Sequence, residues 1–201
     1  MRKINKGNPL PSFTTFSANN PNATWNDFHS KAHGVYSATR DQIVLVEQEG
    51  ICGYTEIPFN DFSDCHLDHY KKRALYPTET FNWQNLIAAG NDDEFGARYK
   101  DLAYNIKVTE YREILNPVVD NVENYFYYTE NGDILPSDTL SAQDFSKAEL
   151  TIKVFNLRHK SLKQRRMTLI KQIKDCDNLE SNKIKEIFAF SGFKSVLYQY
   201  I

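Results

Sequence analysis

The sequence predicts an α+β fold in which a β-hairpin segment lies within a largely helical domain. Apolar residues recur at helical spacing over residues 25–50, short β-prone runs separated by polar residues follow over 51–77, and a long helical pattern occupies about 138–201. The chain of 201 residues is long enough to bury a hydrophobic core, and 41% hydrophobic and 25% charged residues are ordinary for a folded protein. We expect residues 25–201 to form a single domain.

The first 24 residues differ in composition from the rest of the chain. They are rich in Asn, Pro, Ser and Thr, which favour turns and irregular backbone. We predict that residues 1–24 form an extended arm laid over the body of the protein. Thr24 is a suitable helix N-cap, so the first helical segment is expected to begin at Trp25 and to end by Gly50.

The central part of the chain contains the change from helix to strand. Residues 51–77 are expected to form a hairpin-like segment, because polar residues interrupt their β-prone runs. The run NWQNLIAAG is expected to open a short helix, and residues 95–117 to be helical until Pro117 ends the pattern. The run YFYYTENGDILP predicts two strands joined by an Asn-Gly turn.

The helical C-terminal part, about 138–201, carries a basic segment. Seven Lys or Arg residues and no acidic residue lie between Arg158 and Lys174. At 100° per residue the lysines share one helix face and the apolar residues Leu162, Leu169 and Ile173 share another. This basic face predicts either contact with nucleic acid or a solvated surface, and the net charge of −2 shows that the chain as a whole is not strongly attractive to nucleic acid.

The cysteine content and the hydropathy pattern indicate the compartment. The three cysteines are an odd number at spacings that match neither a disulfide framework nor a complete pair of CxxC motifs, so we expect reduced thiols. The N-terminal residues lack the apolar stretch of a signal peptide, and no run of eighteen apolar residues occurs. We therefore expect a cytoplasmic protein that does not span a membrane.

An adjacent acid and histidine, Asp68 and His69, with Asn85 further along, are the residues most suited to chemistry. Hydrolysis of a phosphodiester needs an activated water, a cation that stabilises charge on the phosphate, and a group that holds the base in place. Successive side chains of a strand point to opposite faces, so an Asp-His pair at a strand end can present a carboxylate to a metal and an imidazole to the water. Taken alone, such a pair is more often a chance surface dipeptide.

Several ordered segments around this pair resemble the HNH endonuclease superfamily, and within it the HNH nuclease component of Septu-type and retron-associated anti-phage systems. The resemblance extends over roughly residues 40–170. The segments that carry it are EQEGICGYTE, LDHYKKRALYP, FNWQNLIAAG, ILNPVVDNVENYFYYTENGDILP and LTIKVFNLRHKSLKQRR.

The resemblance implies a ββα-metal hairpin at about residues 50–101 and a role for each polar residue in it. Asp68 would bind a divalent cation, His69 would deprotonate the attacking water, and Asn85 would hydrogen-bond the loop that carries His69. A further metal ligand lies about nine residues beyond this Asn in the family, which is Glu94 here, with Asn91 as the alternative. Oxygen ligands favour Mg²⁺ or Mn²⁺.

The chain departs from the family pattern at the zinc-binding positions. Many relatives stabilise the ββα core with two CxxC pairs, where this chain has CGYT at 52–55 and GNDD at 90–93. We therefore expect no structural zinc, since a substitute set of Cys52, Cys65 and His66 would have irregular spacing. The loss leaves open an alternative function, a non-catalytic subunit that binds nucleic acid or a partner on a degenerate HNH fold.

The resemblance also implies binding partners. Lys71, Lys72 and Arg73 directly follow the Asp-His pair and are expected either to contact phosphates of the nucleic acid, DNA or RNA, or to form a solvated turn. Related systems pair the nuclease with an ABC/SMC-like ATPase subunit, and retron systems add a reverse transcriptase with its multicopy single-stranded DNA. These partners are expectations from the resemblance alone.

Overall fold

A computed structural model describes residues 1–201 apart from the side chain of Phe62, and it confirms the α+β class. Helices make up most of the regular structure, and each of the two sheets within the described chain has two strands. The helices are α1 Pro11–Asn19, α2 Trp25–Lys31, α3 His33–Asp41, α4 Gly96–Arg98, α5 Ala142–Val154, α6 Lys160–Lys174, α7 Ser181–Ile187 and α8 Lys194–Tyr200. The strands are β1 Cys65–His69, β2 Leu86–Gly90, β3 Phe126–Tyr128 and β4 Ile134–Pro136.

The first sheet pairs β1 with β2 in antiparallel register, with Asp68 opposite Ile87 and His69 opposite Leu86. The prediction of a helix opening in NWQNLIAAG is wrong, because only the short 3₁₀ turn Trp83–Asn85 precedes β2. The first four residues of β2 are fully buried. A short apolar run fits a buried strand as well as a buried helix, and its pairing with β1 decides between them here.

The β1–β2 sheet lies between two hydrophobic cores. Side chains of β1 and β2 alternate between them, so Leu67 packs against the rings of the N-terminal helices while Ile87 packs into the larger core of the central and C-terminal segments. The aromatic residues of the smaller core are Phe13, Trp25, Phe28, Tyr36 and Trp83. The sheet is therefore covered on both faces.

The open edge of β2 is closed by the segment that precedes the sheet. The buried Gln48 side chain donates from Nε2 to the carbonyl of Ala88 at 2.9 Å and accepts from the Ala88 N–H at 2.8 Å. The N–H of Gly53 also donates to the Ala88 carbonyl, at 3.0 Å. A Cβ atom at Gly53 would lie 2.4 Å from a methyl carbon of Ile87, so only glycine permits this close approach.

The N-terminal arm is not extended throughout, and this prediction is corrected. Residues 11–19 form α1, with Pro11 in its first turn, where the missing N–H is not needed. Phe13 of this helix is buried against Phe28, and the Ile4 N–H donates to the carbonyl of Pro117 at 2.8 Å. The arm thus contributes to both cores, and its separation from residues 25–201 as a domain boundary stays a prediction.

The helix predicted over residues 95–117 is much shorter than expected. It begins at Gly96, continues from α4 through a wider π-helical turn to Ala103, and ends before Asn105, whose φ is +55°. Only a 3₁₀ turn at Val108–Arg112 follows. The Asn-Gly hairpin is confirmed, because β3 and β4 pair in antiparallel register around Gly132.

The basic segment of the C-terminal part lies on α6. Its predicted apolar residues Leu162, Leu169 and Ile173 are buried, as expected. Lys163 and Lys174 form ion pairs with Asp133 and Glu130 of the β3–β4 hairpin, which neutralises part of the basic face. Over the part of the chain that the structure describes, no helix is both long enough and apolar enough to cross a membrane.

We predict that Gln48→Leu destabilises the protein by about 1–3 kcal/mol, because both backbone groups of Ala88 lose the buried side chain that pairs with them. Urea unfolding measures the change. Gln84→Leu, at an exposed position, is the matched control and is expected to have little effect. Equal stability of the two variants would contradict the role assigned to Gln48.

Candidate active site

A cavity of about 550 Å³ lies beside the C-terminal end of β1. It brings together the Asp-His pair, two of the three basic residues that follow it, and an acidic residue from the helix after β2. The lining residues are His66, Leu67, Asp68, His69, Lys72, Arg73, Ala74 and Asp101.

Asp68 lines this cavity and is largely buried, with 6% of the residue exposed. The hydroxyl of Tyr54 donates to its Oδ2 at 2.6 Å, and the ammonium of Lys100 lies 3.4 Å from the same oxygen. Burial and the Asp68 charge raise the pKa of Tyr54 well above its usual value, so Tyr54 stays a donor. Asp68 is therefore held in one orientation from the side of the larger core.

His69 lies on the other face of β1, and its imidazole is held by two contacts. The ring packs edge-on against Trp25 with 4.4 Å between centroids, and Nε2 lies 2.9 Å from the carbonyl oxygen of Thr80. Because a carbonyl only accepts, this contact assigns the proton to Nε2 and leaves Nδ1 as the nitrogen that can take up a proton. Burial lowers the pKa of His69 to about 4, so the ring is neutral at pH 7.

Asn85 connects the start of β2 to the loop that follows His69. Its Oδ1 accepts from the Lys71 N–H at 2.7 Å, and its Nδ2 donates to the carbonyls of Lys71 and Glu79, both at 3.1 Å. The carbonyl of Asn85 also accepts from the N–H of Tyr70 at 2.9 Å. Asn85 thereby fixes both ends of the loop whose residue Thr80 orients the imidazole.

A buried lysine and an acid from the helix after β2 complete the site. The ammonium of Lys100 donates to the carbonyls of His69 and Tyr70 at 3.1 and 3.0 Å, and it lies 3.0 Å from Oδ1 of Asp101. That oxygen is buried, and the Lys100 ammonium is paired with it. Burial, together with the charge of Asp68, raises the pKa of Asp101 although Lys100 favours its ionised form. The two carboxylates therefore share the buried ammonium of Lys100, and Lys72 and Arg73 add positive charge to the cavity lining.

The structure does not bring Glu94 and Asn91, the two residues considered for the further metal position, to this cavity. The Glu94 carboxylate lies 3.6 Å from Nε2 of His159, and Oδ1 of Asn91 lies 2.9 Å from Nδ1 of His66. A count of nine residues from Asn85 ends in the loop between β2 and α4, because residues 86–90 are strand. The carboxylate that shares the cavity with Asp68 is that of Asp101, later in the helix.

The three consecutive basic residues have different surroundings. Lys72 and Arg73 line the cavity, and the Lys72 ammonium donates to the backbone carbonyl of Asp101 at 2.7 Å. The guanidinium of the exposed Arg73 lies 5.9 Å from the ring of Trp25. Lys71 instead pairs with Glu79 at 3.4 Å, outside the cavity lining.

The segments at the zinc positions of the family are neighbours in space. Cys52, Thr55, Gly90 and Asn91 line a second cavity of about 440 Å³. Across the described residues, no group of three or more His, Cys, Asp or Glu side chains is arranged to hold a metal ion. Among the described residues, the three cysteines form no disulfide with one another.

Sequence reasoning missed the residues that hold the site together. Lys100 and Asp101 lie within the helix expected over residues 95–117, but the family spacing counted from Asn85 gives Glu94 as the ligand, and no local pattern marks either residue as part of the site. Tyr54 and Thr80 act through contacts at sequence separations of 14 and 11 residues, which no local pattern reveals.

Comparison with known proteins adds independent information on this chain. No protein-family model matches it. The chain is similar to a curated protein of Escherichia coli named retron Ec83 putative HNH endonuclease, with 24% identity over 210 residues. The alignment covers 88% of this chain and 81% of the relative. This similarity supports a relationship to HNH endonucleases over most of the chain.

The buried neutral imidazole predicts how stability depends on pH. His69 has a pKa of about 4 when folded and 6.5 when exposed, so its contribution is present above pH 6.5 and is lost as the pH falls toward 4. Between pH 7 and pH 5, the wild-type protein should lose about 2 kcal/mol more unfolding free energy than His69→Gln. Urea unfolding at both pH values measures this, with the exposed His29→Gln as control. Equal losses for wild type and His69→Gln would contradict the assignment.

Proposed function

We propose that this protein is a metal-dependent HNH endonuclease that hydrolyses phosphodiester bonds of nucleic acid. The observation that carries the proposal is the end of β1, where Asp68 and His69 both line one cavity. The Asp68 carboxylate is oriented by Tyr54, and the His69 tautomer is assigned by the Thr80 carbonyl. The similarity to a protein named as an HNH endonuclease supports the same activity.

The order of the elements supports a ββα-metal hairpin. Strand β1 ends in the Asp-His pair, β2 returns antiparallel to it, and the helix after β2 carries Asp101 to the same cavity. Asn85 stands immediately before β2 and fixes the connecting loop. These are the elements that the family resemblance implies, with Asp101 in place of Glu94 as the second carboxylate.

The residues present fit a hard divalent cation, Mg²⁺ or Mn²⁺. Mg²⁺ in proteins is commonly held by one or two carboxylates, with waters and substrate phosphates as the remaining ligands. Asp68 and Asp101 would hold it, because both line the cavity and their carboxylates lie 3.4 and 3.0 Å from the same Lys100 ammonium. When bound, such a cation stabilises negative charge on the phosphate and on the leaving oxygen.

His69 is the general base in this proposal. Its Nε2–H stays with the Thr80 carbonyl while Nδ1 takes a proton from the attacking water. At pH 7 the ring is already neutral and ready to accept, because burial lowers its pKa to about 4. A phosphate entering the cavity favours the protonated ring and so raises that pKa toward neutrality during the reaction.

Lys72 and Arg73 would bind the phosphates next to the scissile bond. Both line the cavity, and the side chain of Arg73 is exposed. Lys71 has a smaller part in this proposal because Glu79 pairs with it. We expect the free Lys and Arg charges near the site, rather than the net charge of the chain, to attract the nucleic acid.

The proposed setting is a cytoplasmic anti-phage system of the retron or Septu type. The relative's name places that protein in a retron, and we extend this setting to the present chain. An ABC/SMC-like ATPase subunit is the proposed partner, and in a retron the reverse transcriptase with its multicopy single-stranded DNA would join it. A partner that presents the substrate is compatible with a net charge of −2.

A non-catalytic subunit that binds nucleic acid or a partner is the second candidate. The observation in its favour is burial, because only 6% of Asp68 and 4% of His69 are exposed. An HNH fold that has lost its zinc pairs and its activity would keep these residues as structural parts.

We predict that His69→Ala lowers the cleavage rate by about 10²–10⁴-fold, because the base that accepts the water's proton is removed. Single-turnover cleavage of DNA and RNA with Mg²⁺ or Mn²⁺, with and without the ATPase partner, measures the rate. His29→Ala, at an exposed position outside the cavity lining, is the matched control. Cleavage by His69→Ala at the wild-type rate would contradict the base role of His69, and no cleavage by the wild type under any of these conditions would favour the non-catalytic candidate.

The choice between Asp101 and Glu94 as second carboxylate predicts different metal requirements. Asp101→Asn should raise the Mn²⁺ concentration for half-maximal cleavage at least about tenfold, because one of two oxygen ligands loses its charge. Glu94→Gln should leave it unchanged, since Glu94 lies outside the cavity lining. A larger effect of Glu94→Gln than of Asp101→Asn in a metal titration would contradict the choice of Asp101 and support Glu94 as the second metal ligand.

A further inference from the structure

Lys100 is the most completely buried charged side chain near the site, with 0% of the residue exposed. A lysine is rarely fully buried, because removing an ammonium from water is costly unless oxygens replace the lost solvent. Four oxygens surround this one: the carbonyls of His69 and Tyr70 and the carboxylates of Asp68 and Asp101. The lysine is therefore a fixed positive charge inside the candidate metal site.

The position of this ammonium differs from that of the other basic residues of the site. Lys72 lines the cavity but donates to a backbone carbonyl, and Arg73 is exposed toward solvent. Lys100 alone among these three is within 4 Å of both carboxylates that the proposed function assigns to the metal. The two carboxylates and this ammonium sum to a charge of about −1 instead of −2, and Lys72 and Arg73 of the cavity lining weaken the attraction for a divalent cation further.

We propose that Lys100 is a positioning residue that holds Asp68 and Asp101 together and keeps their metal affinity low until nucleic acid binds. The inference rests on the proposed function. A phosphate entering the cavity adds the negative charge and the oxygen ligands that the carboxylates lack, so cation and substrate bind together. The nuclease is then poorly loaded with metal in the absence of its substrate.

The charge and the structural contacts of Lys100 make opposite contributions to metal binding. Its two hydrogen bonds to backbone carbonyls stabilise the turn after His69, and a purely structural lysine would do no more. Its charge near the carboxylates repels a divalent cation. Removing only the charge therefore strengthens metal binding if the proposal holds, whereas damage to a structural support weakens it.

The test is Mn²⁺ binding to the full chain without nucleic acid, measured by electron paramagnetic resonance of the free ion and by calorimetry. Lys100→Met should bind Mn²⁺ at least about tenfold more tightly than wild type, because a unit charge close to the ligands is lost. Lys100→Arg keeps the charge and should bind as weakly as wild type. Lys147→Met removes a lysine that is paired with Asp120 outside the cavity lining and is the matched control.

Circular dichroism with and without Mn²⁺ covers the case in which Lys100→Met does not fold in the absence of metal. The two carboxylates then repel each other, and millimolar Mn²⁺ should restore the folded circular dichroism spectrum of Lys100→Met. No restoration, or equal or weaker Mn²⁺ binding in a folded Lys100→Met, overturns the inference. If Lys100→Met gives either of these results while the wild type cleaves nucleic acid, only this inference fails. If neither protein binds Mn²⁺ and the wild type does not cleave nucleic acid, the proposed function fails as well.

Discussion

The backbone turn directly after His69 is the feature on which the rest of the site depends. Buried backbone N–H and C=O groups must be paired, and two side chains from distant elements pair those of this turn. Lys100 donates to the carbonyls of His69 and Tyr70, and Asn85 pairs with both backbone groups of Lys71. One turn therefore joins the end of β1, the start of β2 and the helix that follows, and it sets where the carboxylate and the imidazole point.

Local sequence patterns were sufficient for the elements that local interactions determine. The Asn-Gly hairpin, the apolar face of α6 and the α+β class are all present in the structure. The candidate chemistry was also visible, because an adjacent acid and histidine need only a strand end to share a cavity, and β1 supplies it. The bracing position of Asn85 followed from the resemblance, and its hydrogen bonds lie where that role requires them.

Contacts between distant segments account for what the sequence could not predict. The run LIAAG became a strand because β1 and Gln48 pair with its two edges, and a propensity argument contains neither partner. Glu94, the residue that the family spacing gives as metal ligand, lies in the loop between this strand and the following helix. Lys100 and Asp101 were then overlooked, since nothing local distinguishes a buried ion pair from a solvated one.

The central claim, that Asp68 and Asp101 hold one divalent cation beside the imidazole of His69, is tested most directly by anomalous diffraction. Crystals of the His69→Ala protein with Mn²⁺ and an oligonucleotide would locate the ion independently of any cleavage assay. The account predicts a manganese peak between the carboxylates of Asp68 and Asp101, with a phosphate oxygen as a further ligand. A peak at Glu94 and Asn91, or nucleic acid bound in the cavity with no manganese beside Asp68, would contradict it.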